Sequence, residues 1–342
     1  MDKTVIAVVH NAPVPAGHAF SEASLDVLTQ VENIENALME LGHPTVRIPF
    51  TRDVNAFIQK MREEKVGMAF NLCETVDEDP RLAAHPAALL ELLGVPFTGS
   101  SSMALMLTTD KVTTKRLLMA CGMMTPNYLI YNGADRFNCR ILKFPVIVKP
   151  RFEDASIGID QESIFQDEGE LRRGIREFFD RFGTLLVEEY IAGREFNVSL
   201  FGYPSPSVLP VAEIDFTAFP QGRFPIVGYR AKWDKTSLEH DRTPRKFSLE
   251  FPHALLKRIE STALESFRLL MLSDYGRVDM RLGGRERIHI LEVNANPCLS
   301  PDAGFAAAVQ KAGMTYSDMV RELVNFIEQR PRNNENTASH IS

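Results

Sequence analysis

Apolar residues fall in short runs near the start of the chain, at positions 4–10, 45–50, 67–72 and 95–98, and the runs alternate with stretches of helical periodicity. Strands that alternate with helices predict βαβ units around a parallel sheet. Residues 1–107 are therefore read as a Rossmann-like first lobe. One helix is sharply marked: Leu25, Leu28, Val31, Ile34, Leu38 and Leu41 recur at helical spacing, and Gly42, His43 and Pro44 supply the stop. Its other face, with Glu32, Glu35 and Glu40, is expected in solvent.

A second lobe is expected over 108–191. A helix through Lys111–Ala120 ends at Gly122, Pro126 opens an extended stretch, and 144–150 has strand composition. Asp167 is a suitable N-cap for a helix whose Leu171, Ile175, Phe178, Phe179 and Phe182 form one apolar stripe before Gly183, a core stripe and not a cofactor box. A strand over 185–191 leads to Gly193. The third lobe, 192–330, is read as strands, a helix near 255–272 and a final hairpin. Residues 331–342 have little to bury and are expected as a disordered tail.

The hairpin carries the strongest chemistry. Segments 277–282 and 288–293 read as strands with a glycine-led turn between them. A turn centred between Arg285 and Glu286 sets Asp279 opposite Glu292 and Arg277 opposite Asn294, with all four side chains on one face. Facing carboxylates repel unless a cation or proton lies between them. Magnesium takes oxygen ligands from one or two carboxylates plus phosphates, so Asp279, Glu292 and Asn294 are the expected metal ligands, with manganese able to serve as well. Arg277 would meet phosphate oxygens. The plainer alternative is an exposed polar face with cross-strand ion pairs; the facing register and the irregular exit through Asn294, Ala295, Asn296 and Pro297 favour a site.

Two further signals are weaker. Lys149 closes an apolar strand just before Pro150, at a sheet rim where it could hold a phosphate or simply snorkel into water; the loop 153–158 behind it offers Ser156 and Gly158. In the strand 185–191, adjacent Glu188 and Glu189 must point to opposite faces, so one faces inward, where it could read an adenine amino edge. Glu195 could then reach ribose hydroxyls. Solvent-facing glutamates at an edge strand fit this segment equally well.

Composition narrows the partners. The 342 residues exceed what one core usually serves, while 44% hydrophobic and 24% charged residues exclude wholesale disorder. A net charge of −7 offers no basic field for nucleic acid. The four cysteines lack metal-site spacing, and residues 1–15 lack the long apolar segment of a signal or membrane span, so a cytoplasmic protein is expected.

Taken in order, Lys111, the run Val146 to Pro150, the run Val187 to Glu195, Gly276 to Asp279 and Leu291 to Pro297 resemble the ATP-grasp superfamily, and most closely the D-alanine–D-alanine ligases, over roughly residues 96–326. The resemblance implies an α/β ATP-grasp fold of three lobes, with a Rossmann-like N-terminal domain, a small central α+β lid and a C-terminal α+β domain. It implies ATP and Mg2+ as cofactors, small-molecule carboxylate and amine substrates, an acyl-phosphate intermediate and a homodimer. By matching position, Lys111, Lys149 and Lys232 would hold phosphates under a loop carrying Ser156. Glu188 would face the adenine beside the backbone of Glu189 and Ile191, and Glu195 would take the ribose. Asp279, Glu292 and Asn294 would carry magnesium, and Arg277 would stabilise the tetrahedral intermediate. The substrate end departs from the family: His10 and Asn11 stand where the family has a Gly-Gly-x-Ser-x-Glu loop, Asn71 and Glu74 replace its His-Gly segment, and Cys298 follows Pro297. These five are candidates for an altered substrate pocket, or else loop residues that cap helices. The expected function is ATP-dependent ligation of a carboxylate to an amine. Its rivals are D-alanine–D-alanine ligation for the cell wall and a non-catalytic ATP-binding regulator; nucleotide binding alone would have no need of Arg277.

Overall fold

The structure is a computed structural model that describes residues 4–12, 21–247 and 252–330; the tail expected at 331–342 lies outside them. Strands β1 (Val5–Asn11), β2 (Thr45–Phe50) and β3 (Val66–Asn71) pair in parallel in the order β2-β1-β3. The sheet is covered on both faces, which is why β1 is an unbroken apolar run with Ile6 to Val9 fully buried. The run at 95–98 adds only a parallel bridge from Phe97 to Ala69, since Pro96 has no N–H to extend the ladder. Around this sheet lie α1 (Ser21–Glu40), α2 (Val54–Glu63), α3 (His85–Leu92) and α4 (Ser102–Thr109). One expectation fails on α1: Glu35 is buried, because Arg47 of β2 reaches it at 2.5 Å.

Helix α5 (Lys111–Ala120) starts on the side chain of Asp110 and leads to a second, antiparallel sheet. Its strands β4 (Tyr128–Tyr131), β5 (Val146–Pro150), β6 (Ile164–Phe165) and β7 (Leu185–Glu189) are ordered β4-β7-β5-β6. Helix α6 (Glu168–Phe182) is capped by Asp167 and lays Leu171 and Ile175 against Val146, Val148 and Val187.

The third sheet holds β8 (Arg194–Gly202), β9 (Ser207–Val208), β10 (Ala212–Ile214), β11 (Arg245–Lys246), β12 (Asp274–Gly283) and β13 (Arg287–Asn294), ordered β11-β10-β8-β12-β13 with β9 on β8. Short helices α7 (Tyr229–Trp233) and α8 (Leu238–Asp241) border it, and α9 (His253–Leu269) covers its back. Helix α9 ends short of the expected residue 272, where Met271 turns to φ 57°. Helices α10 (Gly304–Lys311) and α11 (Tyr316–Gln329) return to the first sheet, where Phe305, Leu323 and Val324 share a core with Ile6, Val8 and Ile34. The chain's end is thereby packed on its beginning, with the first and third sheets facing a common space.

Candidate active site

The expected outer pairs are present, with Arg277 opposite Asn294 and Asp279 opposite Glu292, but the turn centres on Arg285, where Gly283 pairs with Arg287, and not between Arg285 and Glu286 as expected. Pairing then slips between Asp279 and Met280, so Leu291 stands as an extra residue and the ladder resumes at Met280–Ile290. All four polar residues line one cleft of about 850 Å³ between the second and third sheets. The expected repulsion between the two carboxylates is relieved by the protein itself. Arg277 donates to both oxygens of Asp279 at 2.8 and 2.9 Å, Asn197 adds a third bond at 2.8 Å, and Lys111 lies 3.2 Å from Glu292. The facing pair therefore does not by itself demand a metal, which corrects that step of the sequence argument. Burial pushes the Glu292 carboxyl up, but Lys111, then Lys232 and Lys149, outweigh it and hold the group well below the carboxylate range. Burial likewise opposes the charge on Arg277, and Asp279 more than restores it.

Glu188 is fully buried on β7, where one oxygen lies 2.8 Å from Lys115 and the other 3.0 Å from Lys149. The carboxylate expected to face adenine lines the cleft and is held by two lysines, the pairing that a buried charge requires. Two cations share one anion, which leaves a surplus positive charge beside the cleft. The strain shows in Lys115: burial lowers its proton affinity, Glu188 raises it and Lys149 lowers it again, with a net fall. Lys115 also donates to Thr125 at 2.7 Å and to the carbonyl of the bulged Leu291 at 3.3 Å. Sequence reasoning missed Lys115. The usable signal was its spacing, four residues after Lys111 on one helix face. Glu189 points the other way and accepts from the N–H of Lys143, so its contribution to the cleft wall is backbone.

Glu195 is on the wall but not free: Arg281, opposite it in the ladder, donates to Oε2 at 2.8 Å. Ser156, at φ 61°, donates to the carbonyl of Val227, and Trp233 donates to that of Ala155, so the loop around Ser156 is latched to the segment that carries Lys232. Asp154 of the same loop accepts from Asn294 at 2.9 Å.

At the first-lobe end of the cleft stand Glu74 and Cys298. Cys298 donates to Asp26 of α1 at 3.1 Å, Ser300 donates to the same carboxylate at 3.2 Å, and Gln30 accepts from the N–H of Leu299 at 2.9 Å. Asp26 and Gln30 were also missed; Glu22, Asp26 and Gln30 recur every four residues and look in sequence like a solvated stripe. Glu74 is pushed up to about 8 by burial, with Asp154 and Asp26 adding to the rise and Gln30 and Lys232 opposing it. Three expected pocket residues are absent from the cleft wall. His10 is buried and its Nδ1 lies 2.9 Å from the carbonyl of Asn11, while Asn11 and Asn71 use their side-chain oxygens to accept backbone N–H groups of Glu74 and Cys73. Asn71 thus satisfies a local backbone donor, and Asn11 reaches across the sheet to one in the same loop, so the two amides hold the loop around Glu74 from behind.

The donor set suits a nucleotide with its metal. The lysine cluster has surplus charge for phosphate, and Glu292, Asp279 and the Asn294 carbonyl are the hard oxygens that magnesium takes. Among the described residues no group of three or more His, Cys, Asp and Glu forms a metal site alone, so phosphate oxygens would have to complete the shell.

Residues 120–325 match the family model described as D-ala D-ala ligase C-terminus. The chain is 32% identical over 300 residues to the D-alanine--D-alanine ligase of Desulforudis audaxviator, covering 86% of this chain and 91% of that one. It is 30% identical over 305 residues to an "Uncharacterized protein y4sG" of Sinorhizobium fredii, with 87% of each chain covered. The solved D-alanine–D-alanine ligase of Bacillus anthracis in complex with ATP superposes with a TM-score of 0.74, at 21% identity, over 95% of this chain and 97% of that one. Fold and site together define an ATP-grasp carbon–nitrogen ligase. Within that class, the chain belongs to the D-alanine–D-alanine ligase family.

Proposed function

We propose that this enzyme, with ATP and Mg2+, activates a small carboxylic acid, an amino acid or a close relative of one, as its acyl phosphate and passes the acyl group to an amine. What supports this is the convergence on one cleft of the surplus-cationic cluster around Glu188, the oxygen donors of the hairpin and the half-buried Arg277. When bound, ATP supplies the phosphoryl group, and magnesium neutralises charge on its oxygens. Lys111, Lys149 and Lys232 would hold the phosphates, the backbone of Glu189 and Ile191 the base, Glu195 the ribose, and Glu292, Asp279 and Asn294 the metal. Glu188 serves by fixing Lys149. Arg277 is placed to stabilise the oxyanion that forms when the amine adds to the acyl carbon. The latched loop around Ser156 keeps water from the activated acyl group. Positioning and cationic stabilisation suffice for phosphoryl transfer, so no side chain need act as nucleophile.

The division into lobes at 107/108 and 191/192, with the second sheet as lid, belongs to the same proposal, as do a cytoplasmic homodimer and the absence of nucleic acid from its work. Among the described residues no helix is long and apolar enough to cross a membrane. A second reading, ligation of D-alanine to itself, is favoured by the names of the relatives; against it stands a substrate end built from Asp26, Glu74 and Cys298. ADP release across a panel of carboxylate and amine pairs tests both. Release with at least one pair is expected. D-alanine sufficing alone would establish the second reading, and silence across the panel in a chain that binds ATP would overturn the first.

A further inference from the structure

Arg281 had no part in the expected site, yet it lies on the cleft wall only 3% exposed and gathers four segments of the chain. Its Nε and one terminal nitrogen lie 2.8 and 2.7 Å from Oε2 of Glu195 on β8. The other terminal nitrogen donates to the carbonyl of Ile191 at 2.8 Å, and a further bond goes to the carbonyl of Pro225. The guanidinium also lies over the Tyr190 ring at 4.9 Å and the Phe216 ring at 5.7 Å. Planarity, a fixed donor fork and two aromatic neighbours leave this group little freedom.

The consequence falls on Glu195. Both close nitrogens engage Oε2, and among the described residues Oε1 takes no protein hydrogen bond although the side chain lines the cleft. We infer that Arg281 is a positioning residue for the nucleotide's sugar: it locks one oxygen of Glu195 so that the other is presented, already oriented, to the ribose hydroxyls. A glutamate left to rotate would have to be ordered at each binding event, and here the ordering is done in advance. The bond to Ile191 holds the linker that follows β7 in the same frame, so the base-holding backbone and the sugar-holding carboxylate are fixed relative to one another. The inference rests on the adenosine assignment made above.

The test is direct calorimetric binding of ATP and of 2′,3′-dideoxy-ATP to the full chain, as wild type and as Arg281→Met, Arg281→Lys, Glu195→Gln and the Arg281→Met/Glu195→Gln double variant. The wild type should prefer ATP by about tenfold or more, as expected for hydrogen bonds to a charged acceptor. Arg281→Met should bring the preference to within about twofold, and the double variant should lose no more than either single one. In turnover, the KM for ATP should rise by a larger factor than kcat falls. Arg281→Lys, which keeps the charge but not the fork, should hold part of the preference and decides the matter if the Met variant does not fold. An unaltered preference in the Arg281 variants, or an equal weakening of both nucleotides alongside a lower Tm, would overturn the inference and leave Arg281 a merely structural cation. A wild-type chain that binds neither nucleotide would refute the adenosine site itself, a different and recognisable failure.

Discussion

The two ends of the cleft are built on different principles. At the end between the second and third sheets, opposite charges are paired in advance: Glu188 with Lys115 and Lys149, Asp279 with Arg277, Glu195 with Arg281. At the first-lobe end, Asp26 holds a thiol and a hydroxyl, and Gln30 holds a backbone N–H. Buried ion pairs are costly to break singly, since removing one member strands the other away from water. Of these first-lobe bonds the one to Gln30 is neutral, worth about 0.5–1.5 kcal/mol, while those to the Asp26 carboxylate are worth about 1.5–3 kcal/mol each. Removing one partner should therefore cost the fold more at the end of the buried ion pairs than at the first-lobe end.

The largest expected effect strikes the charge-paired end. Glu292→Gln should cut ADP release by about 1,000-fold, because metal-assisted charge stabilisation is worth several kcal/mol; initial rates over a magnesium titration check this, and ordinary turnover would sink the metal assignment. Lys115→Met should cost about 3–5 kcal/mol of stability by stranding part of the charge on Glu188, measured by urea unfolding. A loss under about 1 kcal/mol would mean that Lys149 alone satisfies the carboxylate. The comparison sharpens with Asp26→Ala, which should raise the KM for a carboxylate or amine substrate by about tenfold and that for ATP by no more than about twofold. Equal rises in both would erase the distinction between the ends.

A further effect is one of pH. Glu74 is held at about 8 in the folded chain against an ordinary 4.5, mainly by burial, so the folded state binds the extra proton between those values. Its contribution to stability is full below about pH 4.5 and is lost as pH rises through about 8, with a slope of at most about 1.4 kcal/mol per pH unit. Glu74→Gln should remove this slope, and melting curves from pH 5 to 9 would show it; an unchanged slope would assign the loss to other groups.

Much of the charge-paired end was legible in the linear chain. Alternation along two strands placed Arg277, Asp279, Glu292 and Asn294 on one face, and Asp167 and Gly183 marked the ends of α6. Less could be read at the first-lobe end. The stripe of Glu22, Asp26 and Gln30 on α1 is written in the same polar residues as any wet helix face, and only the arrival of the 298–300 segment, across more than 260 residues of chain, engages Asp26 and Gln30 at the end of the cleft. His10 and Asn71 misled for the converse reason: polar residues at strand ends suggest a site, yet their own loops claimed them first.

By itself the sequence determined what is local: the periods of helix and strand, the caps, the outer pairs of the hairpin, and the polar residues that those pairs bring to one face. Tertiary structure decided which charge neutralises which. Lys115 and Glu188 lie on separate elements 73 positions apart, and Arg281 and Glu195 on neighbouring strands of one sheet. Their partnerships follow from the loss of water at burial, which obliges each charged group to find an opposite in whatever the fold has placed nearby.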